Sequence, residues 1–219
     1  MAQSKKAFDL LQFVRPSVRK LKPYASAKDD FDDYGREMIY IDANESPFEN
    51  GFNRYPDPNQ RSLKKRIGEI KGIEDEQILL GNGSDEVLDL IFRVFLEAGK
   101  DNIIISVPTF GMFGVLAAQH EIELRSVLMK PGFQLDLDGI ISEMDQDTKI
   151  IFVCSPNNPS GNAVKKEDLL ALLALPVLVV LDEAYVDFAR EKSMLPELAA
   201  QPNLIICCLL YTSPSPRDA

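Results

Sequence analysis

The chain has 219 residues, 45% hydrophobic and 26% charged, the balance of an ordinary soluble globular protein with room for one large domain or two small ones. A net charge of −10 argues against nucleic acid as a partner, because phosphate binding needs a basic face. The longest apolar run, residues 169–181, contains Pro176 and is too short to span a bilayer, so no membrane partner is expected.

Charge is uneven along the chain. Residues 1–28 hold seven Lys/Arg against Asp9 alone, which leaves −16 on the remainder. Asp9, with no apolar or Arg/Ser-rich run beside it, argues against a targeting peptide, and the segment reads as a solvated arm. Residues 1–50 are rich in Asp, Pro and Lys and read as extended. A helix is predicted over 60–70. From residue 78 onward, helical patterns at 85–96, 110–120, 137–144, 165–173 and 197–200 alternate with β-branched runs at 103–107, 122–128, 150–154, 177–181 and 204–208. Strands that are apolar throughout need cover on both faces, so the prediction is a layered α/β domain with a mostly parallel sheet. Residues 209–219 carry two Ser-Pro pairs, cannot continue a helix, and read either as a natural disordered tail or as foreign sequence.

Cys154, Cys207 and Cys208 lie in or at the end of Ile/Val/Leu-rich runs and are expected to be buried thiols in a reducing cytosol. No C-x-x-C spacing exists, and His120 is the sole histidine, so no metal site is expected. His120 ends a helical pattern and is expected at the surface or a helix end.

Three turns carry candidate chemistry. In Gly81-Asn82-Gly83-Ser84-Asp85-Glu86 the glycines permit a tight turn and Ser84 is the expected N-cap of a helix whose free N–H groups suit a phosphate. Phe110, after the strand 103–107, can stand over the C-terminal edge of the sheet and stack on a flat ring. In Ser155-Pro156-Asn157-Asn158-Pro159-Ser160-Gly161, Asn158 offers an amide at the end of the next strand. Asp182 ends the strand 177–181, and a carboxylate there must be solvated, paired or bound to a cation. Tyr185 follows within reach. An amide, a carboxylate and a phenol at successive strand ends converge as a pyridoxal phosphate ring requires: the carboxylate pairs with the ring nitrogen and keeps the ring an electron sink.

These motifs, with Leu21-Lys22-Pro23-Tyr24, Asp42-Ala43-Asn44-Glu45-Ser46-Pro47 and Asn53-Arg54-Tyr55-Pro56-Asp57, resemble the histidinol-phosphate aminotransferases, fold-type-I pyridoxal phosphate enzymes of aminotransferase class I/II. The likeness runs from about residue 8 to 208. It implies a three-layer fold-type-I large domain, incomplete here: an arm and small-domain segment (1–50), a partial cofactor-binding domain (51–208) and an aberrant tail (209–219). It also implies that backbone N–H groups of Gly83, Ser84 and Asp85 hold the cofactor phosphate. Phe110 would stack on the ring, where tyrosine is common in the family. Asn158 and Tyr185 would bond the ring oxygen, and Asp182 the ring nitrogen. Tyr55 would reach the phosphate in the neighbouring subunit of a homodimer, and Tyr24 and Asn44 would line the pocket for small amino-acid and keto-acid substrates. The resemblance implies a cytoplasmic enzyme of histidine biosynthesis.

The chain departs from the family at its end. No lysine follows Lys192, and Lys192 lies in a charged run before the last predicted strand, so the lysine that would bond the cofactor has no counterpart. The expectation is therefore an N-terminal portion, inactive by itself. An aromatic-amino-acid aminotransferase, a threonine-phosphate decarboxylase, or a non-catalytic protein that keeps the pocket remain open alternatives.

Overall fold

A computed structural model of the chain describes residues 8–22, 43–190 and 193–210. Tyr24, Lys192 and residues 211–219 of the expected tail lie outside the described residues. In chain order the elements are α1 (Pro16–Arg19), α2 (Arg61–Lys71), α3 (Ser84–Phe95), β1 (Asn102–Val107), α4 (Met112–Gln119), β2 (Glu123–Leu128), α5 (Leu137–Glu143), β3 (Thr148–Cys154), α6 (Lys166–Leu173), β4 (Leu178–Asp182) and β5 (Leu204–Cys207). The chain divides into two compact units, residues 20–80 and residues 1–19 with 81–219.

The larger unit is built on a five-stranded sheet of order β2-β1-β3-β4-β5 with every neighbouring pair parallel. Successive strand residues point to opposite faces. Ile103 and Ile105 of β1, Phe152 of β3 and Val180 of β4 therefore join Phe92 of α3 and Phe113 of α4 in one core cluster. Ile104, Ile151, Val153 and Val179 join Ile140 of α5 and Leu172 of α6 in the other. Helices on both faces of one sheet make three layers and explain why β1, β3 and β4 are apolar along their length. β2 differs from expectation. It is an edge strand that buries only Val127, so its sequence is mixed rather than apolar throughout.

At the N-terminal edge of the sheet the buried Asn102 and Thr148 are satisfied within a small network, whereas Asp101 Oδ1, just before β1, has no partner among the described residues. Thr148 Oγ1 donates to Asn102 Oδ1 (2.8 Å), and Asn102 Nδ2 donates to Asp145 (2.9 Å). Arg125 adds a 2.7 Å ion pair to Asp145. The Asn102 and Arg125 hydrogen bonds hold the Asp145 carboxyl well below the usual carboxylate range.

Several boundaries move. Strand 177–181 lies one residue later, so Asp182 is the last paired residue of β4, opposite Cys154 and Cys207. The helix expected from Phe110 begins at Met112, because Pro108 and Thr109 are held outside it by hydrogen bonds to Asn157. The helix expected at 197–200 is a 3-10 turn, Leu195–Glu197, with Pro196 in its first turn. Cys154 and Cys207 are buried, but Cys208 is exposed because β5 ends one residue before it. His120 is the C-cap of α4, as a helix-end residue should be, with Nε2 2.6 Å from Asp89 and its ring stacked on Phe92.

The smaller unit contains α2 and a turn closed by Glu45. The Glu45 carboxylate accepts from the backbone N–H of Tyr55 (2.8 Å) and from Arg54 (3.0 Å). That bond, more than the Arg54 contact with Glu49, raises the Arg54 guanidinium above its ordinary value.

Asn203 ties the start of β5 to the turn between α6 and β4. Its buried amide donates to the carbonyls of Leu173 (3.1 Å), Leu175 (3.4 Å) and Val177 (2.9 Å). Asn203→Ala leaves buried carbonyls without a donor, and urea denaturation should read a loss of about 1–3 kcal/mol at unchanged m-value. A variant with the parent midpoint would show that the clamp contributes nothing.

Candidate active site

In a parallel sheet all the strands end at the same edge, and ligands of such sheets bind beyond their carboxyl ends, where the strand order reverses. Here the chain leaves β1 for β2 on one side, then returns to place β3 on the other side of β1. The loops after β1 and β3 therefore diverge to opposite faces. Phe110 is three residues past β1, Asn158 four past β3, and Asp182 ends β4 with Tyr185 three residues on.

Asp182 is 3% exposed. Its Oδ1 accepts from the backbone N–H of Ala184 (3.0 Å), and no cation pairs with it among the described residues. Burial pushes its pKa up, the Ala184 hydrogen bond works against that, and the Asp85 charge at the start of α3 adds to it. Cys154 and Cys207 flank Asp182 in the sheet, and their thiols are pushed up to about 12, by burial first and the Asp182 charge second.

Ser84 does not cap α3. Gly83 holds the N-cap position at φ 85° and ψ 170°, a conformation that disfavours any Cβ, and Ser84 is the first helical residue. No side chain caps the helix there, so the N-cap offers no acceptor to the first-turn N–H groups. Phe110 is partly buried, packed edge-on against Phe113 with ring centroids 5.7 Å apart.

Asn158 and Tyr185 share an open groove of about 460 Å³, lined also by Pro159, Phe188 and Arg190. The Asn158 side chain makes no hydrogen bond among the described residues. Phe110 and the start of α3 do not line this groove. Asn44 and Tyr55 belong to the smaller unit, where Glu45 joins their two segments; both are exposed.

Two buried polar residues have no counterpart in the sequence-based site. Asn157 is 2% exposed and cross-links the loops after β1 and β3. Glu183 accepts from Ser193 Oγ and from the backbone N–H of Met194 (2.7 Å), closing the loop that carries Tyr185. The doubled asparagine is visible in the sequence, but no strand period extends past Cys154 to say which of the two faces inward.

The family profile described as aminotransferase class I and II matches residues 28–210. The chain belongs to that family. Curated histidinol-phosphate aminotransferases of Christiangramia forsetii and Flavobacterium johnsoniae are 52% and 51% identical to it over 92% and 91% of its length. The chain spans 58% of the length of each. The solved histidinol-phosphate aminotransferase of Sinorhizobium meliloti, in complex with pyridoxal-5'-phosphate, superposes with a TM-score of 0.64 at 28% identity, over 71% of this chain and 43% of that one. The all-parallel sheet with helices on both faces is thus the fold of this aminotransferase family. No helix among the described residues is long and apolar enough to cross a membrane.

An acid whose folded pKa is raised destabilises the fold once it ionises. That penalty is absent below the unfolded pKa of about 4 and complete above the folded value. Asp182→Asn should therefore raise the urea midpoint of the ligand-free protein at pH 7, and the gain should vanish as the pH falls through about 4. An equal gain at both pH values would assign it to packing instead.

Proposed function

We propose that the chain is the cofactor-binding part of a histidinol-phosphate aminotransferase, which exchanges an amino group between L-histidinol phosphate and 2-oxoglutarate to give imidazole-acetol phosphate and glutamate. The observation that carries this is Asp182, a buried carboxylate that no cation pairs with among the described residues, at the C-terminal edge of a parallel sheet, in a chain about half identical to curated enzymes of that activity. The donor chemistry fits pyridoxal phosphate, with Asn158 and Tyr185 in one groove and Asp182, Phe110 and the start of α3 outside its lining. Asp182 can hold a proton at a ring nitrogen, and that nitrogen's charge would relieve both burial and the Asp85 repulsion.

Bound there, the group supplies an electron-poor ring that stabilises negative charge on the carbon exchanging its amino group. Asp182 keeps the ring nitrogen protonated throughout. The unengaged Asn158 amide and the Tyr185 hydroxyl donate to the ring oxygen, and Phe110 offers an aromatic face. Gly83, Ser84 and Asp85 turn N–H groups and the positive end of the α3 dipole toward the phosphate. Tyr55 reaches the partner's phosphate in a homodimer, Asn44 and Tyr24 bind substrate, and the enzyme works in the cytoplasm. Residues 51–208 form the incomplete cofactor-binding domain, after an arm at 1–50 and before the tail at 209–219.

Joined after Cys208 to the remaining C-terminal portion of the Christiangramia forsetii relative, the chain should transaminate L-histidinol phosphate in preference to aromatic amino acids. It should not decarboxylate threonine phosphate. Asp182→Asn should abolish most of the turnover of this chimera, whereas Asn158→Ala removes one hydrogen bond and costs about 1–3 kcal/mol in transition-state stabilisation. A folded, cofactor-loaded chimera with near-parental activity after Asp182→Asn would refute the assignment.

A further inference from the structure

Asn157 occupies the point where the strand order reverses, between the loops that leave β1 and β3 in opposite directions. Its side chain makes three hydrogen bonds, two across to the loop after β1 and one within its own loop. Oδ1 accepts from Thr109 Oγ1 (2.9 Å), and Nδ2 donates to the Pro108 carbonyl (3.0 Å) and to Ser160 Oγ (2.7 Å). Its backbone closes the second loop, with its N–H on the Asn162 carbonyl (2.8 Å) and its carbonyl accepting from Gly161 (2.7 Å). Asn162 carries the link onward, bonding Ser160 and, at 2.7 Å, the Phe133 carbonyl after β2.

This chain of bonds joins three loops at one edge. It has Phe110 directly beyond Thr109 at one end and Asn158 directly beyond Asn157 at the other. Neither residue is fixed by hydrogen bonds of its own side chain: Phe110 rests only partly in the core, and the Asn158 amide has no partner among the described residues. Beside the packing of Phe110 on Phe113, the hydrogen bonds of Asn157 are what tie the two loops that carry them. We infer that Asn157 is a positioning residue that fixes the ring-facing Phe110 and the amide of Asn158 relative to each other, so that one flat, phosphorylated pyridine can meet both. The inference rests on the pyridoxal phosphate reading of this edge. Side chains that meet a ligand act well only when a surrounding shell holds them to within a fraction of an ångström.

Pyridoxamine phosphate is a probe with the same ring and phosphate that needs no lysine, so it suits the 219-residue chain as it stands. Its dissociation constant and the circular dichroism induced in the bound ring should be measured for the parent, Asn157→Ala, Thr109→Val, Phe110→Leu and the double variant Asn157→Ala/Phe110→Leu. Asn157→Ala should weaken binding about tenfold and diminish the induced signal. The nearly isosteric Thr109→Val should move both readouts in the same direction by less, and it decides the matter if Asn157→Ala does not fold. Since Asn157 acts through Phe110, the double variant should lose less than the sum of the single losses; fully additive losses would indicate a general structural role and overturn the inference. Folded Asn157→Ala or Thr109→Val proteins with parental affinity and parental dichroism would overturn it as well. A folded parent that does not bind the probe would remove the pyridoxal phosphate reading itself, and this inference with it.

Discussion

A carboxylate buried in a sheet can be solvated, protonated or paired, and the surroundings of Asp182 push it toward protonation and offer no pairing cation among the described residues. Cys154 and Cys207 flank it in the ladder, Asp85 repels it, and a single backbone N–H is its hydrogen-bonding partner. The opposite edge of the sheet shows what a self-sufficient arrangement looks like. There Asn102, Thr148, Asp145 and Arg125 close on one another, and the Asp145 carboxyl is held down rather than pushed up. The two edges belong to the same sheet; the first keeps one buried oxygen unpartnered, Asp101 Oδ1 just before β1, and the second holds Asp182, which pairs with no cation among the described residues. A buried carboxylate with a raised pKa at the edge where a parallel sheet binds ligands is a candidate functional group.

Parallel topology then decides what else stands beside Asp182. Strands that all run one way gather their C-terminal loops at one edge, and the reversal of order between β1 and β3 opens a gap there. Asn157 bridges that gap and sets how far apart the loops stand. The cysteines beside Asp182 are small, apolar and held neutral, so they add no charge next to its carboxylate.

Much of this was legible in the chain because apolar runs covered on both faces look alike whatever their partners. β1, β3, β4 and β5 lie within one or two residues of their predicted bounds. What periodicity could not reach were the edges. β2 is mixed because most of it faces solvent, Cys208 is exposed because the ladder stops before it, and Ser84 loses the cap to a glycine whose positive φ no pattern of side chains announces. Asn157 escaped for a related reason. Its role depends on two loops meeting in space, 48 residues apart in sequence, and a hydrogen bond of that span leaves no local trace. Glu45 is a smaller case, joining segments whose likeness to the family was plain while the bond between them was not.

The proton that Asp182 is proposed to keep on a pyridine nitrogen can be observed directly. Pyridoxamine phosphate labelled with nitrogen-15 in the ring should be bound to the protein and its ring resonance followed from pH 6 to well beyond the ring pKa of the free ligand. A shift of the protonated ring persisting well above the pKa of the free ligand, and lost in Asp182→Asn, is the predicted result. A bound ring that titrates as it does in free solution, with Asp182 intact, would contradict the account.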